Sequence, residues 1–248
     1  MKQIFCNTYA DISSNCRIKE YPTYYELCAA SSPIFRESGW EEQKPLTKVS
    51  AASRAKSDND NKGKALRRAR AAIRDIASCS AFTHFVTLTL NAAVIDRCNY
   101  AAAIKPINRW LSNMVQRKNF AYVLVPEYHA DGEAIHFHGL CRGDVTYIDS
   151  MKKTKRGQPI LNMKEWKFGF TDCVELDEHY ERVCNYIMKY ITKDSEKIGG
   201  RYYLSGGDIS KPKILYTETE YRDIDAKEYY CRQARTSFKY QRIAKEVK

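Results

Sequence analysis

The hydrophobic positions along the chain change period several times, and each change marks an element. Leu66, Ala69, Ile73 and Ile76 recur at steps of three and four within residues 64–77, the spacing of one helical face, in a run of strong helix formers. Residues 82–90 alternate instead. Phe85, Thr87 and Thr89 fall on one side and Val86, Leu88 and Leu90 on the other, which is strand periodicity. Helical spacing returns over residues 100–117 with Ile104, Ile107, Trp110, Leu111 and Met114. Two more alternating runs, residues 121–129 and 134–141, flank Asp131-Gly132, a pair that tolerates the positive φ of a two-residue hairpin turn. Residues 151–159 read as a basic loop, 167–176 as a fourth strand, 177–192 as a helix, and 201–204 as a short strand. The polar stretch from Glu218 onward reads as helical. Helices that interrupt an antiparallel set of strands predict an α+β fold.

The N-terminal part has no such regularity. Its short apolar groups (Tyr21, Tyr24, Tyr25, Leu27) are broken by Pro22, Pro33, Gly39 and Pro45, so residues 1–56 are expected to be an extension of loops with a strand or two. The polar run at residues 57–63, SDNDNKG, is the expected boundary. Residues 57–248 then form the main domain with a helical C-terminal tail, and no internal repeat divides it.

The alternation of the strands places candidate chemistry. His136 and His138 are two apart, so both imidazoles project from one face while Phe137 points to the other. With Asp131 and Gly132 as the turn, Ala130 faces Glu133 and the ladder continues to Glu127 opposite His136. Directly opposed residues share a face. Glu127 therefore joins the two histidines in a two-His, one-carboxylate set, and a one-residue change of turn length would turn it away. Such a set accepts a divalent ion such as Mg²⁺ or Mn²⁺ and leaves positions open for substrate oxygens. On the predicted helix at 177–192, Tyr186 and Tyr190 are four apart, as are Lys189 and Lys193, so each pair shares a helical face. Packing and solvation are the ordinary uses of such residues. A phenoxide, however, can also attack a phosphodiester and keep the bond energy as a phosphotyrosyl ester, with a nearby cation favouring its ionised form.

Charge narrows the partner. Forty-one Lys and Arg stand against 30 Asp and Glu, a formal net charge of +11, which suits a polyanion because each phosphate contact releases condensed counterions. Arg67, Arg68, Arg70 and Arg74 cover much of the first predicted helix, as a solvated face or as a DNA-binding one. The nine cysteines include no C-x-x-C pair, and the polar N-terminus lacks an apolar core of the signal-peptide type, which fits reduced thiols in a cytoplasm. No run approaches the roughly 18 apolar residues of a membrane span, so no membrane partner is expected.

Taken together, these segments resemble the HUH endonucleases, specifically the two-tyrosine rolling-circle replication initiators of small single-stranded DNA phages and related plasmids. Phe85-Val-Thr-Leu-Thr-Leu90 is similar to the family's first motif, His136-Phe-His138 to its His-hydrophobic-His motif, and Tyr186-x-x-Lys189-Tyr190-x-x-Lys193 to its tyrosine motif. Gly200-Arg-Tyr-Tyr-Leu-Ser205 is similar to a segment of phage members. The resemblance spans about residues 64–215. It implies a central antiparallel sheet of about five strands flanked by helices, an RRM- or ferredoxin-like arrangement. It also implies a metal that polarises the scissile phosphate, and a tyrosine that takes the 5′ end of single-stranded origin DNA. The freed 3′-OH would pass to a polymerase, with a helicase as a further host partner. Lys189 and Lys193 would neutralise phosphate or move protons. A relaxase or transposase of the same superfamily is one alternative, disfavoured by the paired tyrosines and by the lack of a fused helicase. A non-catalytic nucleic-acid-binding module, its histidines incidental, is the other.

Overall fold

The structure, a computed structural model, describes residues 13–33, 35–36, 51–129, 134–177, 187–190, 197–232 and 234–246. In chain order the elements are β1 (Ser13–Ser14), β2 (Cys16–Glu20), β3 (Tyr24–Ala30), β4 (Phe35–Arg36), α1 (Ala51–Cys79), β5 (His84–Leu90), α2 (Tyr100–Lys118), β6 (Ala121–Tyr128) and β7 (Ile135–Arg142). Then come β8 (Tyr147–Lys153), β9 (Pro159–Met163), β10 (Gly169–Glu175), a 3-10 turn at Met188–Tyr190, β11 (Leu204–Gly206), β12 (Lys213–Thr217), a second 3-10 turn at Tyr221–Asp223, β13 (Glu228–Cys231) and β14 (Thr236–Ala244). The fold is α+β, as the sequence pattern predicts. Its strand pairings among the described residues are antiparallel.

The chain forms two compact units, Val49–Lys211 and Met1–Lys48 with Pro212–Lys248. The first is built on a seven-stranded sheet in the order β11-β6-β7-β5-β10-β9-β8, two strands wider than the expected five. β5 and β6 both run antiparallel to β7 and flank it, so α2 is a crossover between two parallel strands with β7 slotted between them. This is the split βαβ arrangement.

Period-two alternation sends the two faces of β7 into different cores. Ile135, Phe137 and Cys141 pack with Val86, Leu88, Leu90 and Leu124 against Ile107, Trp110, Leu111 and Met114 of α2. Leu140, with Val123 and Val125, packs against Leu66, Ala69, Ile73 and Ile76 of α1, and Phe85 and Tyr190 border the same cluster. α2 is held at its start by Asn99, whose side chain accepts from the Ala102 amide, and ends on Asn119 at φ 48. Trp110 locks α2 to the far end of the sheet by donating its indole N–H to the Glu165 carbonyl at 2.8 Å.

The second unit has a sheet of its own, β12-β2-β3-β14-β13, with Cys16, Ala29 and Ile224 buried in it and β1 paired to β4 beside it in sequence. Among the described residues no helix is long and apolar enough to cross a membrane.

Four expectations need correction. The polar run 57–63 is no break: it lies inside α1, because starting a new helix costs more than carrying one through a single Gly63. The tail from Glu218 forms strands, not a helix. β14 alternates Phe238 and Tyr240 against Lys239 and Gln241 and pairs with β3 along its length, a long-range pairing that overrides its polar composition. Residues 151–159 are the end of the β8–β9 hairpin, closed by the Gly157 amide donating to the Thr154 carbonyl with Gly157 at φ +84. The short strand expected at 201–204 begins at Leu204 instead, pairing with β6. Of the helix expected at 177–192, residues 178–186 and 191–192 lie outside the described residues, as does the turn Asp131-Gly132.

Gly139 sits at the centre of this arrangement. A Cβ there would run into the Val123 carbonyl and Leu124 of β6. Replacing Gly139 with Ala should therefore destabilise the protein by about 1–3 kcal/mol, the usual cost of overpacking. Denaturant unfolding measures it, and an unchanged midpoint would mean that β6 and β7 can part without cost.

Candidate metal centre

The two expected ligand strands are neighbours, and their register is the expected one. Glu127 pairs with His136 and Val125 with His138. On the other side of β7, Thr89 pairs with His136 and Thr87 with His138. Both histidines therefore sit in the middle of the sheet, fixed from both edges of their strand. Their Nε2 atoms converge on one carboxylate oxygen, Glu127 Oε2, at 3.2 Å from His136 and 3.1 Å from His138. One ligand atom from each of the three residues lies within 4.8 Å of the others. The imidazole side chains are only 11% and 12% exposed, while Glu127 is 40% exposed, so the group opens towards solvent on the carboxylate side.

Borderline nitrogen donors with a hard carboxylate form a donor set that fits a divalent cation. For Nε2 to offer its lone pair, the ring hydrogen must sit on Nδ1 and find an acceptor there. His138 has one in the Thr87 hydroxyl, 3.1 Å from its Nδ1. Burial, followed by the neighbouring His136 and His129, pushes the His138 pKa down to about 3, so its ring stays neutral and able to ligate over a wide range of pH.

Tyr190 reaches the same place from the segment after β10. Its ring stacks on His138 with centroids 3.8 Å apart and planes 13° apart, and it borders Phe85 at 6.4 Å. Of the other residues singled out in the sequence, Tyr186 and Lys193, together with the side chain of Lys189, lie outside the described residues.

α1 packs over the same face of the sheet, but its arginines divide. Arg67 and Arg68 are exposed, whereas Arg70 and Arg74 are half-buried. Arg68 lines a cleft of about 410 Å³ with Lys197, Arg201, Tyr202 and Tyr203, not the metal centre.

Two contributors escape the sequence reading. Thr87 alternates on the histidine face of β5, yet only the β5–β7 register shows which histidine it meets. His129 packs edge-on against His136 at 4.8 Å. Its position two residues after Glu127 on a strand is a signal that could have found it.

Comparison with known proteins agrees in place. Residues 83–195 match the model of a family described as replication-associated protein ORF2. The matched stretch is similar to replication-associated proteins, and it takes in Glu127, His136, His138 and the whole tyrosine segment while leaving the arginines of α1 outside. No curated protein and no solved structure matches the chain.

Two outcomes test the centre as built. Thr87→Val removes the Nδ1 acceptor and should weaken Mn²⁺ binding about 10- to 100-fold in calorimetric titration. Unchanged affinity would strip Thr87 of the role. The second outcome concerns the metal-free protein. Because His138 is neutral when folded and has a lowered pKa, the unfolded chain alone takes up its proton below about pH 6.5. Its share of stability is complete above that pH and is lost as pH falls towards 3. His138→Gln should therefore flatten the decline of stability between pH 7 and pH 4, and parallel curves for mutant and wild type would contradict the assignment.

Proposed function

We propose that this chain is a two-tyrosine HUH initiator of rolling-circle replication, which nicks and religates single-stranded DNA at an origin. The observation that supports this most directly is the meeting of Glu127, His136 and His138 with the ring of Tyr190 on one face of the sheet. The family match adds the setting of replication.

Glu127, His136 and His138 would hold Mg²⁺ or Mn²⁺. Bound there, the cation would supply Lewis-acid polarisation of the scissile phosphate. The phenolic oxygen of Tyr190 or Tyr186 attacks phosphorus, the P–O3′ bond breaks, and the 3′-oxygen leaves to end as a hydroxyl. The phenolic proton passes to solvent or to a neighbouring base, with Lys189 and Lys193 favouring the phenoxide by their charge. The DNA 5′ end stays on tyrosine as a phosphodiester. Attack by a 3′-OH on that ester therefore reseals a strand without an outside energy source. With two tyrosines, one can hold the first 5′ end while the other cuts the next junction. The free 3′-OH is the primer for a host polymerase, a host helicase opens the duplex, and the work takes place in the cytoplasm of a bacterial host.

A labelled single-stranded oligonucleotide library incubated with the protein and Mn²⁺ should give a covalent adduct on a denaturing gel. His136→Ala with His138→Ala should abolish it while leaving the fold and metal-independent binding in place. Tyr186→Phe and Tyr190→Phe should each retain some adduct, and the double mutant none. Full adduct formation by the double histidine variant would end the proposal, and a nucleotide found on one tyrosine only would reduce it to a one-tyrosine enzyme.

A further inference from the structure

The face that carries the triad does not stop at β5. Glu127 opposes His136, His136 opposes Thr89, and Thr89 opposes Phe170. Opposed residues share a face, so Phe170 stands in the same row as the ligands. It lies two strands beyond His136, about 10 Å away at the usual strand spacing, and it is 70% exposed. Further out, Ile148 of β8 opposes Asn162 of β9, and Ile148 is again an exposed apolar side chain, as is Met151 beside the β8–β9 turn. The segment from residue 145 to 169 holds six Lys and Arg against two acidic residues. Four of the six, Lys152, Lys153, Lys155 and Arg156, crowd the tip of the hairpin, all exposed. An open aromatic ring flanked by cations is the combination that stacks an unpaired base and grips the backbone beside it. A duplex keeps its base faces inside the stack and offers Phe170 nothing. Asp172 is also exposed on β10, one row over and opposite Thr87. Its charge repels phosphate and steers a strand along the Phe170 row.

We infer that Phe170 is the base-stacking platform for single-stranded DNA next to the scissile phosphate, and that the β8–β9 hairpin holds the backbone of that strand. The inference rests on the nicking reading of the metal centre but is tested apart from it, by binding in EDTA. Fluorescence anisotropy with a short fluorescein-labelled single strand of mixed sequence should show Phe170→Ala binding about 5- to 100-fold more weakly than wild type. Phe170→Trp should restore affinity. Because no phosphate contact is lost, the slope of log affinity against log salt should stay as in wild type. Replacing Lys152, Lys153, Lys155 and Arg156 together with Ala should instead reduce that slope by about 0.7 for each phosphate contact removed. A duplex of the same sequence should not distinguish Phe170→Ala from wild type. Equal binding of the single strand by wild type and Phe170→Ala overturns the inference. So does an equal loss on single strand and duplex, or a loss seen only on anionic lipid vesicles. If the Phe170 effect appears but Mn²⁺ yields no covalent adduct, the platform stands and the nicking reading falls.

Discussion

The pairing of Glu127 with His136 across β6 and β7 is the constraint on which the rest of the site hangs. Strand side chains alternate with a period of two, so one residue more or less in the connecting turn would send Glu127 to the α2 face and leave two imidazoles without their carboxylate. The fold guards against that slip from two sides. β7 is an inner strand, and its register with β5 sets Thr89 and Thr87 against the same two histidines that its register with β6 sets against Glu127 and Val125. A shift on either side would also move Phe137, Ile135 and Cys141 out of the α2 core. Apolar packing on one face therefore holds the polar geometry on the other.

That division has an electrostatic consequence. The histidines are nearly enclosed, and enclosure disfavours an imidazolium, which is why His138 stays neutral far below the ordinary histidine range. Neutral nitrogen and ionised carboxylate are the forms in which these groups bind a cation. The stacked ring of Tyr190 closes the same wall. A nucleophile carried by a segment packed against the ligands is positioned by the core that fixes them, so α1, the tyrosine segment and β7 form one mechanical unit around Ile73, Ile187 and Leu140.

How far the sequence shows this depends on the range of the interactions. The β6–β7 hairpin is legible because it is local: Asp-Gly marks the turn, and counting back through alternating residues predicts the partner of His136. The helix of residues 100–117 is legible from its apolar spacing alone. The second sheet is not. β3 and β14 lie about as far apart as the chain permits, and neither β2 nor β12 alternates cleanly enough to announce a partner. The tail therefore reads as polar and helical, although its Phe238, Tyr240 and Ile243 are strand residues waiting for β3. The 57–63 run misleads for the opposite reason, since a helix can absorb a polar stretch once it is nucleated on either side. Thr87 is visible as a strand residue, but its bond to His138 depends on a contact 51 positions away.

Charge and topology lead to a final step. Of the 41 basic and 30 acidic residues, 26 and 18 fall between Val49 and Lys211, so the unit with the triad holds +8 of the net +11. Within it the excess is not spread evenly, for the segment from 145 to 169 contributes six cations against two anions. These strands are also the ones that widen the sheet beyond the expected five. An added hairpin needed only for stability would bury its apolar side chains and leave its surface mixed in sign. This one instead leaves Ile148, Met151 and Phe170 in water on strands that extend the metal-bearing sheet. Exposed apolar surface beside concentrated positive charge costs stability in the free protein and is repaid only when something anionic with flat apolar faces lies across it.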